Sequence, residues 1–127
     1  MTDFNNVFLI SDMDGTLINS KSQISTINKY ALNEFTKAGG TFAVATGRTL
    51  HSCKQYIPEL PINAPSIFYN GTILQDTNKN VVLQTLSLQT KILFNFLKQC
   101  LIHCPNTCIE LHTKDTFHII TKEEFDD

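Results

Sequence analysis

VFLISDMDGTL, residues 7–17, is an apolar run that ends in two aspartates one residue apart, followed by glycine and threonine. A short continuous run of apolar residues suits a strand buried on both faces of a parallel sheet, so Val7 to Ser11 is expected to be a central strand. Two carboxylates just past such a strand repel one another unless a cation or a proton relieves them. A magnesium ion (Mg2+) would do so, since it takes oxygen ligands and commonly one or two carboxylates, with water and substrate phosphate completing its octahedron. Asp12 is then expected to be both metal ligand and nucleophile, and Asp14 a metal ligand and the general acid that later activates water. Gly15 allows a tight turn whose amides are expected to face phosphate oxygens.

Working outward, the polar loop INSKSQ leads to Ser25, an expected N-cap. Ile27, Ala31, Phe35 and Ala38 then recur at helical spacing beside Leu32, and Gly39-Gly40 close the helix. Thr41 to Ala45 is a second apolar strand, so residues 7–45 read as a right-handed βαβ unit. Thr46-Gly47-Arg48 follows it, and a short helix carrying Leu50, Cys53, Tyr56 and Ile57 stops near Pro58. Ser66 to Tyr69 makes a third strand, ending at Asn70-Gly71. Small or polar residues thus fall at the C-terminal ends of three successive strands, where open α/β sheets bind ligands. Thr46 suits a hydroxyl donor to a phosphoryl group, with the Gly47 amide nearby and Arg48 offering a charge-assisted contact to substrate. The rival roles are a helix N-cap for Thr46, a turn for Gly47 and a surface charge for Arg48.

From Thr72 the pattern changes. Thr72 to Gln75 and Val81 to Gln84 flank the turn-prone DTNKN as a hairpin. Ser87 to Ile102 places Leu88, Ile92, Leu93, Phe96, Leu97, Cys100 and Leu101 on one helical stripe. Thr107 to Thr113 and Phe117 to Thr121 form a second hairpin around Lys114-Asp115. Cys100, Cys104 and Cys108, with His103 among them, lack the pair-and-pair spacing of a zinc site and are expected to be small core hydrophobes.

DMDGTL followed by ATGR and then FYNG resembles the haloacid dehalogenase (HAD) superfamily of phosphohydrolases, and within it the Cof-like sugar-phosphatase branch. The resemblance implies a Rossmann-like α/β core, here its N-terminal half over residues 1–84. The beginning of an α+β cap would follow over residues 85–127. It implies that Asp12 is the phosphorylated nucleophile, Asp14 the acid/base and Thr46 a phosphate ligand, and that Asn70-Gly71 approaches the substrate or the link to the cap. The lysine and later acidic motif of that family have no counterpart here: Lys114, Lys122, Glu123, Glu124, Asp126 and Asp127 lie in the cap-like region and are expected to form a solvated surface. The chain therefore reads as the N-terminal part of such an enzyme, of low or no activity by itself, with an exposed apolar edge or face that another copy could cover.

With 127 residues, 42% of them hydrophobic, the chain has material for one core. A formal charge of −2 offers no basic stripe for nucleic acid. No apolar run approaches the roughly 18 residues of a membrane span, and the N-terminus lacks a signal peptide's charged start, so a cytoplasmic location is expected. The expected partner is a small phosphorylated metabolite. Two further readings stand beside the hydrolase: a phosphomutase or phosphotransferase of the same superfamily, and a catalytically silent binding or regulatory module.

Overall fold

A computed structural model describes residues 3–113 and 116–123. The chain divides into two compact units, residues 1–86 and 87–127. In the first, β1 (Phe8–Ser11) pairs in parallel with β2 (Thr41–Val44), Phe8 opposite Thr41 and Ser11 opposite Val44. Between them runs α1 (Thr26–Lys37), whose N-cap Ser25 accepts a hydrogen bond from the Asn28 amide. The chain then forms α2 (Leu50–Cys53), capped by Thr49, and a 3₁₀ turn, Ile57–Glu59, that holds Pro58 at its start. β3 (Ser66–Phe68), β4 (Ile73–Asp76) and β5 (Val81–Thr85) form an antiparallel sheet of their own.

The expected third parallel strand is only partly realised. β3 touches β2 through one parallel bridge, Ala45 to Ile67. Elsewhere along that edge side chains stand in for a neighbouring strand. Asn63 accepts from the Phe42 amide at 2.7 Å and donates to the Gly40 carbonyl at 3.0 Å, and the Ser66 hydroxyl accepts from the Val44 amide at 3.1 Å. These contacts satisfy the backbone of β2 where β3 diverges to meet β4.

The core gathers Met13, Leu17, Ile18, Ile24, Leu32, Phe42, Val44, Cys53, Tyr56 and Phe68. β2 is buried, as its apolar run requires, but β1 is not central or covered on both faces: Val7, Phe8, Leu9 and Ile10 are 44%, 56%, 39% and 48% exposed. Among the described residues β1 has a strand on one side only, so its other edge and much of its side-chain surface meet no partner. The stripe on α1 is narrower than expected. Leu32 is buried, whereas Ile27 is exposed, because one neighbouring two-stranded sheet covers a single line of the helix.

In the second unit, α3 (Thr90–His103) precedes the hairpin of β6 (Ile109–His112) and β7 (Phe117–Ile120). Gln89, not Ser87, occupies the N-cap position, without a side-chain hydrogen bond. Leu97 and Leu101 are buried, while Leu88, Ile92 and Phe96 are exposed. Cys104 and Cys108 are exposed too, against the expectation of core positions, because they fall past the end of α3 and ahead of β6, outside the buried line of the helix. No group of three or more His, Cys, Asp or Glu side chains placed to hold a metal ion forms among the described residues. The Lys114-Asp115 turn and Glu124, Asp126 and Asp127 lie outside the described residues; Lys122 and Glu123 are exposed. No described helix is long and apolar enough to cross a membrane.

Candidate active site

The first unit brings the ends of three strands together. Asp12 follows β1 directly, with Met13 wholly buried behind it, so the chain is anchored as it leaves the sheet. The Asp12 Oδ1 accepts from the Met13 amide at 2.6 Å, and Oδ2 has no hydrogen-bond or ion-pair partner among the described residues. After Asp14 the chain forms a small flap in which Ile18 bridges to both Asp14 and Ile24. Gly15, with φ +70°, supplies the left-handed turn that a side chain would resist. Its amide does not face outward as expected, because it donates to the Ile18 carbonyl at 3.2 Å.

Thr46 is 5% exposed, and its hydroxyl oxygen accepts from the Arg48 amide at 3.1 Å. That bond occupies an acceptor site and leaves the O–H free to donate. Thr46 caps no helix; Thr49 does. The loops after β2 and β3 are joined by two backbone bonds, Asn70 N–H to the Thr46 carbonyl at 3.2 Å and Tyr69 N–H to the Arg48 carbonyl at 3.1 Å. Tyr69, Asn70 and Gly71 all have positive φ, of 52°, 53° and 100°. Two consecutive non-glycine residues in the left-handed region cost on the order of 1–2 kcal/mol each, which the surrounding contacts must offset. Gly47 lets the Asn70 side chain approach: a Cβ there would lie 2.7 Å from the Asn70 Oδ1.

The result is an open concavity of about 400 Å³. Asp12 lines it from the first strand, Ala45, Thr46 and Gly47 from the second, and Ile67, Asn70 and Gly71 from the third. Five of the residues singled out in the sequence meet there. The other two, Asp14 and Arg48, pair with each other. Arg48 Nε and Nη2 donate to Asp14 Oδ2 and Oδ1, both at 2.7 Å, and the guanidinium lies 5.3 Å from the centre of the Tyr56 ring. Hydrogen bonding to Arg48 holds the Asp14 carboxyl below the ordinary carboxylate range and raises Arg48 further above its own. Burial pushes the Cys53 thiol up, which keeps it a neutral core side chain.

Sequence reading overlooked Asn63 and Ser66 as supports of the β2 edge, and Tyr56 as the platform beneath Arg48. Tyr56 had the periodicity of a core residue; nothing in the sequence marked Asn63 or Ser66. As donors for a cation, the concavity offers hard oxygens and no thiolate or imidazole. One carboxylate with an unpartnered oxygen suits magnesium, which needs few protein ligands. Asp14, expected as a second ligand, has both oxygens on Arg48.

The sequence profile of the haloacid dehalogenase-like hydrolases matches residues 9–127. A 5-amino-6-(5-phospho-D-ribitylamino)uracil phosphatase of Bacillus subtilis is 37% identical over 75 residues, 59% of this chain and 30% of its own length. An HMP-PP phosphatase of Cronobacter sakazakii is 38% identical over 61 residues, 48% of this chain and 22% of its own length. A solved structure of a phosphatase of the HAD enzyme superfamily from Bacteroides thetaiotaomicron shares the fold, with a TM-score of 0.78 at 18% identity over 91% of this chain and 42% of that one. A haloacid dehalogenase-like hydrolase from B. subtilis gives a TM-score of 0.72 at 28% identity over 85% of this chain and 37% of that one. The chain thus spans less than a third of the length of these two curated relatives. A profile match running from the middle of β1 to the last residue, over a site built from three strand ends, means that the chain belongs to the haloacid dehalogenase-like hydrolase family.

Proposed function

We propose that the whole protein is a magnesium-dependent phosphomonoester hydrolase acting on small phosphorylated metabolites, sugar phosphates among them, through an aspartyl-phosphate on Asp12. The observation that carries this reading is the shared concavity of the Asp12 carboxylate with Thr46, Gly47 and Asn70. The buried Thr46 hydroxyl and the Gly47 N–H, which makes no hydrogen bond among the described residues, are donors for phosphoryl oxygens. A carboxylate oxygen of Asp12 is the nucleophile in this scheme. It attacks phosphorus as the ester oxygen leaves, and Asp14 manages the proton on the leaving oxygen and then on the attacking water. Asp12 would hold the metal, which when bound neutralises charge between carboxylate and phosphoryl oxygens. The curated relatives named as phosphatases of phosphorylated small molecules support the substrate class.

Residues 1–127 by themselves should turn over slowly, because no lysine lines the concavity among the described residues to balance the phosphoryl charge. The test is hydrolysis of p-nitrophenyl phosphate with and without magnesium in the whole protein and its Asp12→Asn variant. Magnesium-dependent release that disappears in the variant is expected. Undiminished turnover by Asp12→Asn removes Asp12 as nucleophile.

A further inference from the structure

Arg48 entered the sequence analysis as a candidate substrate contact, yet its side chain is turned elsewhere. Both of its inward nitrogens grip Asp14, and its guanidinium rests on Tyr56, a ring only 4% exposed whose hydroxyl donates to the Ser22 carbonyl at 3.3 Å in the flap. The backbone of Arg48 is held equally well: its N–H donates to Thr46 Oγ1 and its carbonyl accepts from the Tyr69 amide. One residue therefore ties the loop after β1, the flap, the loop after β2 and the turn after β3. A planar guanidinium bonded through two nitrogens to two carboxylate oxygens fixes the orientation of that carboxylate, which a single charge at the end of a lysine would not do.

Resting on the aspartyl-phosphate reading above, we infer that Arg48 is a positioning residue that orients Asp14 as the base for the second half of the reaction, and that it does not bind the substrate phosphate. In that step a water oxygen bonds to phosphorus while the bond from phosphorus to the Asp12 oxygen breaks. One water proton passes to Asp14, the electron pair returns to Asp12 as carboxylate, and inorganic phosphate leaves. The oxygens of Asp14 directed at Arg48 keep their second lone pairs for that proton.

This role separates from substrate binding in pre-steady-state kinetics of the whole protein. p-Nitrophenol is a good leaving group and needs no proton from the enzyme, so its phosphoryl transfer to Asp12 should survive Arg48→Ala. The expected result is a burst of p-nitrophenol approaching one equivalent of protein. Steady turnover should then be slower than in the unsubstituted protein by a factor on the order of 100, within the range of acid–base contributions. KM should not rise. Arg48→Lys, which keeps the charge but not the two-nitrogen grip, should recover only part of the lost rate. A burst that is absent while KM rises several-fold would make Arg48 a substrate ligand and overturn the proposal, as would full recovery by Arg48→Lys. Absence of turnover in the unsubstituted protein would instead refute the phosphatase reading on which the role depends. The pair itself has a separate readout. The Arg48 Nε–H resonance should be shifted and slow to exchange with solvent, and should lose both properties in Asp14→Asn; no change on that substitution overturns the proposal whatever the kinetics.

Discussion

Replacing Ser66 by alanine tests how the site is held together. The Ser66 hydroxyl is wholly buried and accepts from the Val44 amide at 3.1 Å, at the point where β3 turns away from β2. Val44 is also wholly buried, so no water can replace the lost oxygen without opening the core. The substitution removes few atoms and leaves little cavity, and its cost is that of an unsatisfied buried donor, about 1–3 kcal/mol. With a urea slope of about 1.5 kcal/mol/M for a chain of this size, a loss of about 2 kcal/mol lowers the unfolding midpoint by on the order of 1 M. Equilibrium urea unfolding followed by far-UV circular dichroism measures this directly. The same hydrogen bond aligns the strands that carry Thr46 and Asn70, so a fall in phosphate affinity should accompany the loss of stability. A midpoint unchanged within about 0.2 M would refute the reasoning, since such a shift is too small for an orphaned buried N–H.

Gly47→Ala should leave stability nearly unchanged but weaken phosphate binding several-fold, because the new methyl group meets only the end of the Asn70 side chain, at 2.7 Å, and would push that amide from the concavity; isothermal titration with inorganic phosphate and thermal unfolding check the two halves. Asp14 gives a pH dependence of defined sign. Its folded-state pKa is lowered by Arg48, so the native state binds fewer protons than the unfolded chain within and below the ordinary carboxylate range, and the stability it contributes is present above that range and lost as pH falls through it. Because its side chain is 56% exposed the effect is small, and it should show as a slightly flatter stability profile for Asp14→Asn below about pH 5 in urea titrations.

The local features of the site were legible where a residue's neighbours in sequence are also its partners. The N-cap at Ser25, the end of α1 near Gly39-Gly40 and the hairpin of β4 and β5 each follow from short-range chemistry. The apolar runs likewise pointed to β1, β2 and β3 as strands, and their ends to a common site. What was not legible depended on which elements lie across the sheet. Hydropathy marks Val7 to Ile10 as residues that favour burial, yet their exposure is set by the neighbours available, and among the described residues only β2 pairs with that strand. Cys104 and Cys108 were misplaced for the complementary reason: composition favours their burial, but their positions beyond α3 and before β6 do not.

By itself the sequence determined the order of elements, the aspartates after the first strand, the threonine after the second and the family to which these motifs belong, because a strand's length and the turn that ends it are encoded in consecutive residues. Only the tertiary structure decided what each charged group does with its charge. Thirty-four positions separate Arg48 from Asp14, and no local pattern records that the guanidinium lies on Tyr56 and closes on both oxygens of the carboxylate. Folding puts Asp12 in the concavity with Thr46 and Asn70 and puts Asp14 in the grip of Arg48. Two aspartates that look equivalent in DMDGTL thereby acquire different environments, because hydrogen bonding and ion pairing depend on distance in space.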